Sequence, residues 1–241
     1  MGDGWTTALL IASSALAAIA TWLGWQWNRV RLKLAEAREL LDGRAAELES
    51  ARLELQRLST EDSLTALANH EQFLEFVERE WRRGRREKQP VSLIFLDVDH
   101  FRSFNRQYGR RAGDDCLRQI GKAVEGLAGR AGDLISRYHR DEFAVVLSGT
   151  DTAGALRVAN KIRQAIETLE IPAAREADTP HVTVSVSVAS AVPDRESNRE
   201  ELDLIKAARH ALRDARAAGG NRVLTATLDA PSGSHVSTID E

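Results

Sequence analysis

The sequence contains few of the residues that mark disulfide-stabilised, zinc-folded or strongly charged proteins. Its 241 residues include a single cysteine, Cys116, and no cluster of cysteine with histidine. This excludes a disulfide framework and a structural zinc site, and it suits a reducing compartment. Lysine and arginine total 33 and aspartate and glutamate 36, so the net charge is only -3. Since a DNA-binding domain is usually basic, nucleic acid is not an expected partner.

Charge is also absent from one long segment near the N-terminus. Residues 5–27 contain no charged side chain. A run of about 20 apolar residues matches the roughly 30 Å hydrocarbon core of a bilayer. Tryptophans lie at both ends of the segment, as in interfacial aromatic belts. The pattern predicts a helix that crosses a membrane.

The residues that flank this segment predict its orientation. Arg29, Arg31 and Lys33 follow it directly, so the positive-inside rule keeps the remainder of the chain in the cytoplasm. The alternative is a cleaved signal peptide, but residues 1–4 lack the positive charge that such a peptide needs. We expect residues 1–28 to be a retained single-pass anchor in contact with membrane lipid.

Residues 29–59 contain no proline and resemble a coiled-coil helix. Leucine recurs every seven residues, at Leu34, Leu41, Leu48 and Leu55. This period produces a left-handed coiled coil. The alternative is a single helix that lies on the domain or the membrane, since Arg44 enters the second seam beside Gly43. The leucines favour a parallel homodimer.

From Glu61 onward, short apolar runs alternate with helical periodicity. Helices are predicted near residues 69–86, 113–129, 153–169 and 200–218. Strands are predicted at residues 91–96, 133–138, 143–147, 182–191 and 222–228, with the second and third forming a hairpin. This order indicates an α/β or α+β domain with a mixed or antiparallel sheet. The Ser- and Gly-rich residues 229–241 are expected to be disordered.

Two acidic pairs lie at the ends of predicted strands. Asp97 and Asp99 follow the first strand, where a spacing of two puts side chains on one face. Asp141 and Glu142 lie at the tip of the hairpin. Carboxylates from neighbouring loops suit Mg²⁺, with nucleotide phosphates completing its shell, and two such ions would clamp a phosphoryl transfer. The alternative is that these side chains are merely solvated.

Several motifs occur in the order of a known family. Residues 62–69 read DSLTALAN, residues 96–105 LDVDHFRSFN, residues 137–143 RYHRDEF and residues 218–223 AGGNRV. They resemble the D-x-L-T-G-L-x-N, L-D-x-D-x-F-K-x-x-N and R-Y-G-G-D/E-E-F motifs of the GGDEF family, the diguanylate cyclases. The resemblance covers residues 60–228, and the order of the motifs makes it specific.

The resemblance implies a fold, a reaction and a location. The fold is a palm-like α+β domain with a mixed sheet and flanking helices, related to class III nucleotidyl cyclases and polymerases. Two such domains, each holding one GTP with Mg²⁺, join the nucleotides into cyclic di-GMP. Together with the predicted anchor and its basic flank, the resemblance indicates the bacterial inner membrane, with the domain in the cytoplasm.

The resemblance also assigns roles to residues of this chain by position. Metal ions would be held by Asp97, Asp141 and the Val98 carbonyl. Asn105 and Asp114 would hydrogen-bond guanine. The catalytic residues would be Asp141, Glu142, Arg102 and Arg216.

Other positions depart from the family pattern. His139 and Arg140 stand where the family has two glycines, which tolerate positive φ and allow close approach of a ligand. Arg216 replaces the usual lysine, and Gly220 replaces a phosphate-binding arginine. These changes predict a weakened or inactive site. The alternative is that Arg140 substitutes for the lost arginine and the enzyme remains active.

A second site is implied by an R-x-x-D motif at the family's product-inhibition position. Arg130 and Asp133 form the motif, and Arg157 and Lys161 follow on the next predicted helix. The planar fork of an arginine can bind a phosphate or a guanine edge bidentately. The alternative is a local ion pair without a ligand.

Three functions remain open at this point. The first is a degenerate GGDEF module that binds cyclic di-GMP or GTP and regulates a partner. The second is an active diguanylate cyclase. The third is a dimeric scaffold that needs no nucleotide.

Overall fold

The computed structural model describes residues 60–127, 132–194, 200–228 and 236–237, together with residues 22, 25–29, 31, 33–35, 38, 40–45 and 47–50. The contacts of the chain divide it into two compact units, Met1–Leu58 and Ser59–Glu241.

In the first unit, every described residue between 22 and 50 is helical. Leu34, Leu41 and Leu48 are exposed on this helical segment. Leu55 lies outside the described residues, as does most of the predicted anchor. Among the helices that the structure describes, none is both long enough and apolar enough to cross a membrane. The anchor and the coiled coil stay predictions.

The second unit contains a sheet with helices on both faces. Its elements are α1 (His70–Glu87), β1 (Val91–Val98), α2 (Phe101–Tyr108), α3 (Arg110–Glu125), β2 (Leu134–His139), β3 (Glu142–Ser148), α4 (Thr152–Glu167), β4 (Val184–Ala191), α5 (Glu201–Ala217), β5 (Val223–Thr227) and β6 (Val236–Ser237). The strand order is β2-β3-β1-β4-β5-β6, and only the β4–β5 pair is parallel. The predicted α+β class with a mixed sheet is confirmed.

The central strand β1 is buried along its whole length, between two hydrophobic clusters. Ile94 and Leu96 pack on the side of α3 and α4, whereas Leu93 and Phe95 pack on the side of α1 and α5. This follows from the alternation of side chains along a strand. The same alternation puts Asp97 on the α1–α5 side.

The structure differs most from the predicted elements in three places. The short helix α2 was not predicted, because His100 precedes it in a left-handed conformation without a side-chain cap and only Phe104 is buried. α3 begins at Arg110 rather than at residue 113. Within the segment predicted to be disordered, Val236–Ser237 pairs with β5.

The segment that opens the second unit lies against the edge of the sheet. Ala68 bridges to Ser136 of β2 in the parallel sense. Its N–H donates to the Ile135 carbonyl, and its carbonyl accepts from the Arg137 N–H. The bridge places the 62–69 motif beside the strand that leads into the RYHRDEF motif.

Candidate functional site

The acidic residues of the site meet at one end of the sheet. The antiparallel register sets Asp97 of β1 opposite Glu142 of β3 and, on its other side, opposite Ser185 of β4. Residues directly opposite in such a pair share a face of the sheet. Asp141 lies in the turn before β3, and its carbonyl accepts from the Val98 N–H at 3.3 Å. The three predicted metal ligands therefore lie close together.

Asp97 is the most buried carboxylate of this group, with a side chain only 3% exposed. Its Oδ2 accepts a hydrogen bond from Nη1 of Arg216 at 3.0 Å. Its Oδ1 is buried and has no hydrogen-bond partner among the described residues. Burial raises the pKa of Asp97 to about 7; Arg216 opposes the rise, while Asp141, Glu142 and Asp99 add to it.

Glu142 has an arginine partner that the sequence analysis missed. Nη2 of Arg209 lies 3.6 Å from Oε2 of Glu142, and the guanidinium also lies 5.2 Å from the centre of the Tyr138 ring. Arg209 precedes Arg216 by two helical turns, so both project from the same side of α5. Two arginines of one helix thus face the two carboxylates of the sheet.

That Asp97 and Asp99 converge on one ligand stays a prediction; β1 ends at Val98, and in the structure the Asp99 carboxylate is not left free for a ligand. The Asp99 carboxylate instead accepts hydrogen bonds from Thr183 Oγ1 at 2.8 Å, from Ser185 Oγ at 2.6 Å and from the Asn221 N–H at 2.9 Å. Asp99 therefore ties the end of β1 to β4 and to the loop after α5.

The signature turn keeps the backbone shape that glycine favours. Arg140 has φ of 45°, in the left-handed region, where a side chain with a Cβ costs about 1–2 kcal/mol. His139 is the last residue of β2 and pairs with Glu142, after an irregularity in register that follows Arg137. Both replacements are accommodated, and Arg140 is exposed.

Arg137 and Asp62 hold this turn in place, and sequence reasoning gave neither of them a role. Nε of Arg137 donates to the Arg140 carbonyl at 2.7 Å, and Nη1 donates to Asp62 Oδ1 at 3.0 Å. Asp62 also accepts from the backbone and hydroxyl of Thr65. Burial tends to raise the pKa of Asp62, but the bonds from Thr65 and Arg137 outweigh it and lower the pKa. The link spans 75 positions, which a local pattern does not reveal.

His70 lies at the start of α1, against the signature strand. Its ring makes an edge contact with Tyr138 at 4.4 Å between centroids. Burial and the neighbouring His139 lower the pKa of His70, so its ring is neutral at physiological pH. An uncharged ring therefore packs against the strand that leads into the signature turn.

The predicted guanine ligands lie at the corner between α2 and α3. Asn105 is in α2 and Asp114 in α3, and Gly109 joins the two helices with φ of 86°. Asn105 Oδ1 is buried without a hydrogen-bond partner among the described residues. It lies directly over Gly113, where a Cβ would be only 1.8 Å away. Arg102, in the first turn of α2, is exposed.

The acidic end of the sheet suits Mg²⁺ in its donor chemistry. The orphaned Oδ1 of Asp97 and the nearby carboxylates of Asp141 and Glu142 supply the oxygen ligands that this ion prefers. Among the described residues, no group of three or more His, Cys, Asp or Glu side chains is arranged to hold a metal. A bound ion would complete its shell with nucleotide phosphates and water.

A separate cleft contains the described residues of the predicted product site. Asp133, Arg157 and Lys161 line it, and its volume is about 590 Å³. Gln89 and Pro90 form another part of the wall. Arg130 lies outside the described residues. Two cations and a carboxylate in one cleft can bind a ligand that carries both phosphates and N–H donors.

Comparison with known proteins identifies the class. The family model described as "Diguanylate cyclase, GGDEF domain" matches residues 59–222. The chain belongs to the GGDEF family of cyclic di-GMP signalling, and the palm-like fold implied by the motifs is confirmed.

The chain is similar to a curated cyclase and to solved structures. It is 33% identical over 180 residues to diguanylate cyclase DgcM of Escherichia coli (strain K12), covering 74% of this chain and 42% of that protein. It spans less than half the length of the curated relatives it matches.

Two solved structures are of DgcB from Caulobacter crescentus. Its GGDEF domain in complex with c-di-GMP is 25% identical, with a TM-score of 0.62 over 69% of this chain and 92% of that chain. The structure of its coiled coil and GGDEF domain, also in complex with c-di-GMP, is 26% identical. The TM-score is 0.60, and the match covers 79% of this chain and 98% of that chain.

Proposed function

We propose that this chain is a membrane-anchored GGDEF protein that has lost efficient turnover and regulates a partner by binding cyclic di-GMP. The observation that carries the proposal is the cleft lined by Asp133, Arg157 and Lys161. Cyclic di-GMP carries two phosphates and two guanines. The two cations would bind phosphate or the acceptor edge of guanine, while the carboxylate of Asp133 would accept from guanine N–H groups.

Loss of turnover is supported by the residues around the nucleotide position. His139 and Arg140 put two large side chains where the family has none. At Gly220 the family's phosphate-binding arginine is missing, and each 1.36 kcal/mol of lost transition-state stabilisation slows a reaction tenfold. The acidic end of the sheet would still hold Mg²⁺ through Asp97, Asp141 and the Val98 carbonyl. There the ion would neutralise charge on a nucleotide's phosphates.

The first 59 residues would anchor the chain and pair two copies of it. Residues 1–28 would anchor the chain in the bacterial inner membrane, and residues 29–59 would pair two copies. The exposed leucines of the helical segment support the pairing. The solved structure of DgcB from Caulobacter crescentus contains a coiled coil together with a GGDEF domain.

Titration calorimetry with cyclic di-GMP tests the binding. We expect saturable binding to the full chain in detergent and a loss of at least about tenfold in affinity, or 1.4 kcal/mol, in Arg157→Gln with Lys161→Gln. Lys122→Gln is the matched control, because Lys122 is exposed on α3 and does not line the cleft. If no heat is released, or if the double variant binds like the parent, the cleft is not the site.

An active cyclase is the second candidate, favoured by the survival of Asp97, Asp141 and Glu142 in one place, with the positive charge of Arg216 beside them. Incubation with GTP and Mg²⁺, followed by chromatography of the products, decides it. We expect little or no cyclic di-GMP; product formation that Asp97→Ala abolishes would establish turnover. A scaffold without nucleotide is the remaining alternative, and it predicts that neither GTP nor cyclic di-GMP changes the melting temperature.

A further inference from the structure

The Arg216 side chain is largely exposed to solvent, although the carboxylate that it binds is buried. It is 52% exposed, whereas the Asp97 side chain to which it donates is 3% exposed. Arg216 lies in the last turn of α5, just before two glycines with positive φ. A long side chain in this position can leave its partner without unpacking the core.

The pairing conflicts with a divalent cation at the same carboxylate. Arg216 occupies Oδ2 of Asp97, and only Oδ1 is left without a hydrogen bond. A guanidinium about 3 Å from a carboxylate oxygen would lie within a few ångströms of any cation bound there. Since like charges repel strongly at such distances in a buried site, the two cations are alternatives at Asp97.

The second arginine of α5 is held differently. Arg209 lies 3.6 Å from Glu142 and also stacks over Tyr138, so it has two anchors. Arg216 has only Asp97 as an ion-pair partner within the described part of the chain. Of the two arginines, Arg216 is therefore the one that a stronger anion can draw away.

We propose that Arg216 is an internal counter-cation that occupies Asp97 until a nucleotide phosphate draws it away, which opens Asp97 to a divalent cation. A phosphate offers the guanidinium the same bidentate geometry as a carboxylate. Nucleotide and metal then bind cooperatively, and metal alone binds weakly. This inference rests on the nucleotide-binding part of the proposed function.

Binding of Mn²⁺, followed by electron paramagnetic resonance on the full chain in detergent, tests the proposal. The measurement is made at about pH 8, where protons compete less for the carboxylates. For the parent, we expect weak binding alone and tight binding with a non-hydrolysable GTP analogue. In Arg216→Gln, Mn²⁺ alone should bind about tenfold more tightly, within the range typical of coupled sites. The enhancement by nucleotide should shrink correspondingly.

Two further variants complete the design. Arg213→Gln is the matched control, because Arg213 is exposed on the same helix and makes no ion pair with the residues that the structure describes; it should behave like the parent. Arg216→Lys keeps the charge and should retain weak binding of Mn²⁺ alone. Circular dichroism verifies that each variant is folded.

The proposal is overturned if Arg216→Gln binds Mn²⁺ alone no more tightly than the parent does, or if no protein binds Mn²⁺ at all. Calorimetry with cyclic di-GMP shows whether only the role of Arg216 is wrong or whether the proposed function is wrong as well. When cyclic di-GMP still binds at the Arg157 cleft, only the role of Arg216 is lost. When it does not bind there, the proposed function fails on its own test.

Discussion

At the scale of single residues, Gly220 stands where the family has an arginine, and the space that a side chain would need there is occupied by Asp99. Gly220 has φ of 72°, and a Cβ there would lie about 2.9 Å from Oδ1 of Asp99. That oxygen already accepts from Ser185, and the other accepts from Thr183 and from the backbone of Asn221. A larger residue at position 220 would have to push the Asp99 carboxylate out of this network.

We predict that Gly220→Arg, which restores the family residue, destabilises the domain rather than reviving turnover. The positive φ alone costs about 1–2 kcal/mol, and displacement of Asp99 adds to it. Thermal and urea unfolding measure the loss, and chromatography after incubation with GTP measures turnover.

Gly126→Ala is the control for this substitution. Gly126 has φ of -67°, and a Cβ would meet its nearest neighbour at an ordinary 3.7 Å, so the change should leave stability within about 0.5 kcal/mol. A Gly220→Arg protein as stable as the parent would contradict the argument.

We predict that Asp62→Asn lowers stability at neutral pH and that the deficit disappears in acid. The pKa of folded Asp62 is below the ordinary 3.8, so its carboxylate stabilises the fold above about pH 4. This contribution is lost as pH falls through the folded-state pKa. The free energy of unfolding should drop by about 1–3 kcal/mol at pH 7.

Urea unfolding of both proteins at several pH values measures the difference. Asp115→Asn, on the exposed face of α3, should change stability by less than about 0.5 kcal/mol at any pH. A deficit of Asp62→Asn that persists at about pH 2 would mean that the charge of Asp62 is not what matters.

At the scale of elements, the close contact between α2 and α3 depends on Gly113, which has ordinary helical backbone geometry and is needed only because it has no side chain. Gly113 is buried in α3 and leaves room for the Asn105 amide to lie on the helix. We predict that Gly113→Ala lowers affinity for a GTP analogue at least about tenfold, or 1.4 kcal/mol, because Asn105 must turn away. Asn105→Ala should give a similar loss.

Gly121→Ala is the matched control in the same helix. A Cβ at Gly121 would be 3.4 Å from Leu67 and 3.5 Å from Thr65, which is van der Waals contact. The variant should keep its affinity and gain about 0.5–1 kcal/mol of stability. Calorimetry and thermal unfolding of the two alanine variants compare them directly. Equal affinities would show that Asn105 does not contact the nucleotide.

The elements also show what the sequence could predict. The long periodic helices and the hairpin were found within a few residues, because their apolar faces repeat. α2 was missed because a helix of eight residues with one buried side chain shows almost no repeat of apolar residues in the sequence. Arg209 was missed for a different reason: its partners, Glu142 and Tyr138, are brought to it only by the packing of α5 on the sheet.

At the scale of the whole molecule, the helical segment before the domain exposes apolar side chains at a heptad spacing. Leu34 is 56% exposed, Leu41 66% and Leu48 72%. Leucines that stay in water do not stabilise a single helix, whereas burial of one leucine side chain in an interface contributes about 1.5–3 kcal/mol of stability. The pattern supports pairing of two copies along this segment.

We predict that Leu41→Glu with Leu48→Glu converts a dimer into a monomer. Sedimentation velocity of the full chain in detergent measures the change, at one protein concentration for all variants. Glu47→Gln with Glu49→Gln is the control, because it alters the same turns without touching the leucines. Cyclic di-GMP should bind the monomer with unchanged affinity. A parent protein that sediments as a monomer would contradict the pairing.

The bridge between Ala68 and Ser136 has a consequence for solubility. β2 is the outermost strand on its side of the sheet, and an uncovered outer strand can recruit one from another molecule. Ala68 occupies the Ile135 carbonyl and the Arg137 N–H there, so a foreign strand would have to displace it. Fragments that start after residue 69 should therefore aggregate through this edge, whereas those that start before residue 60 should stay dispersed.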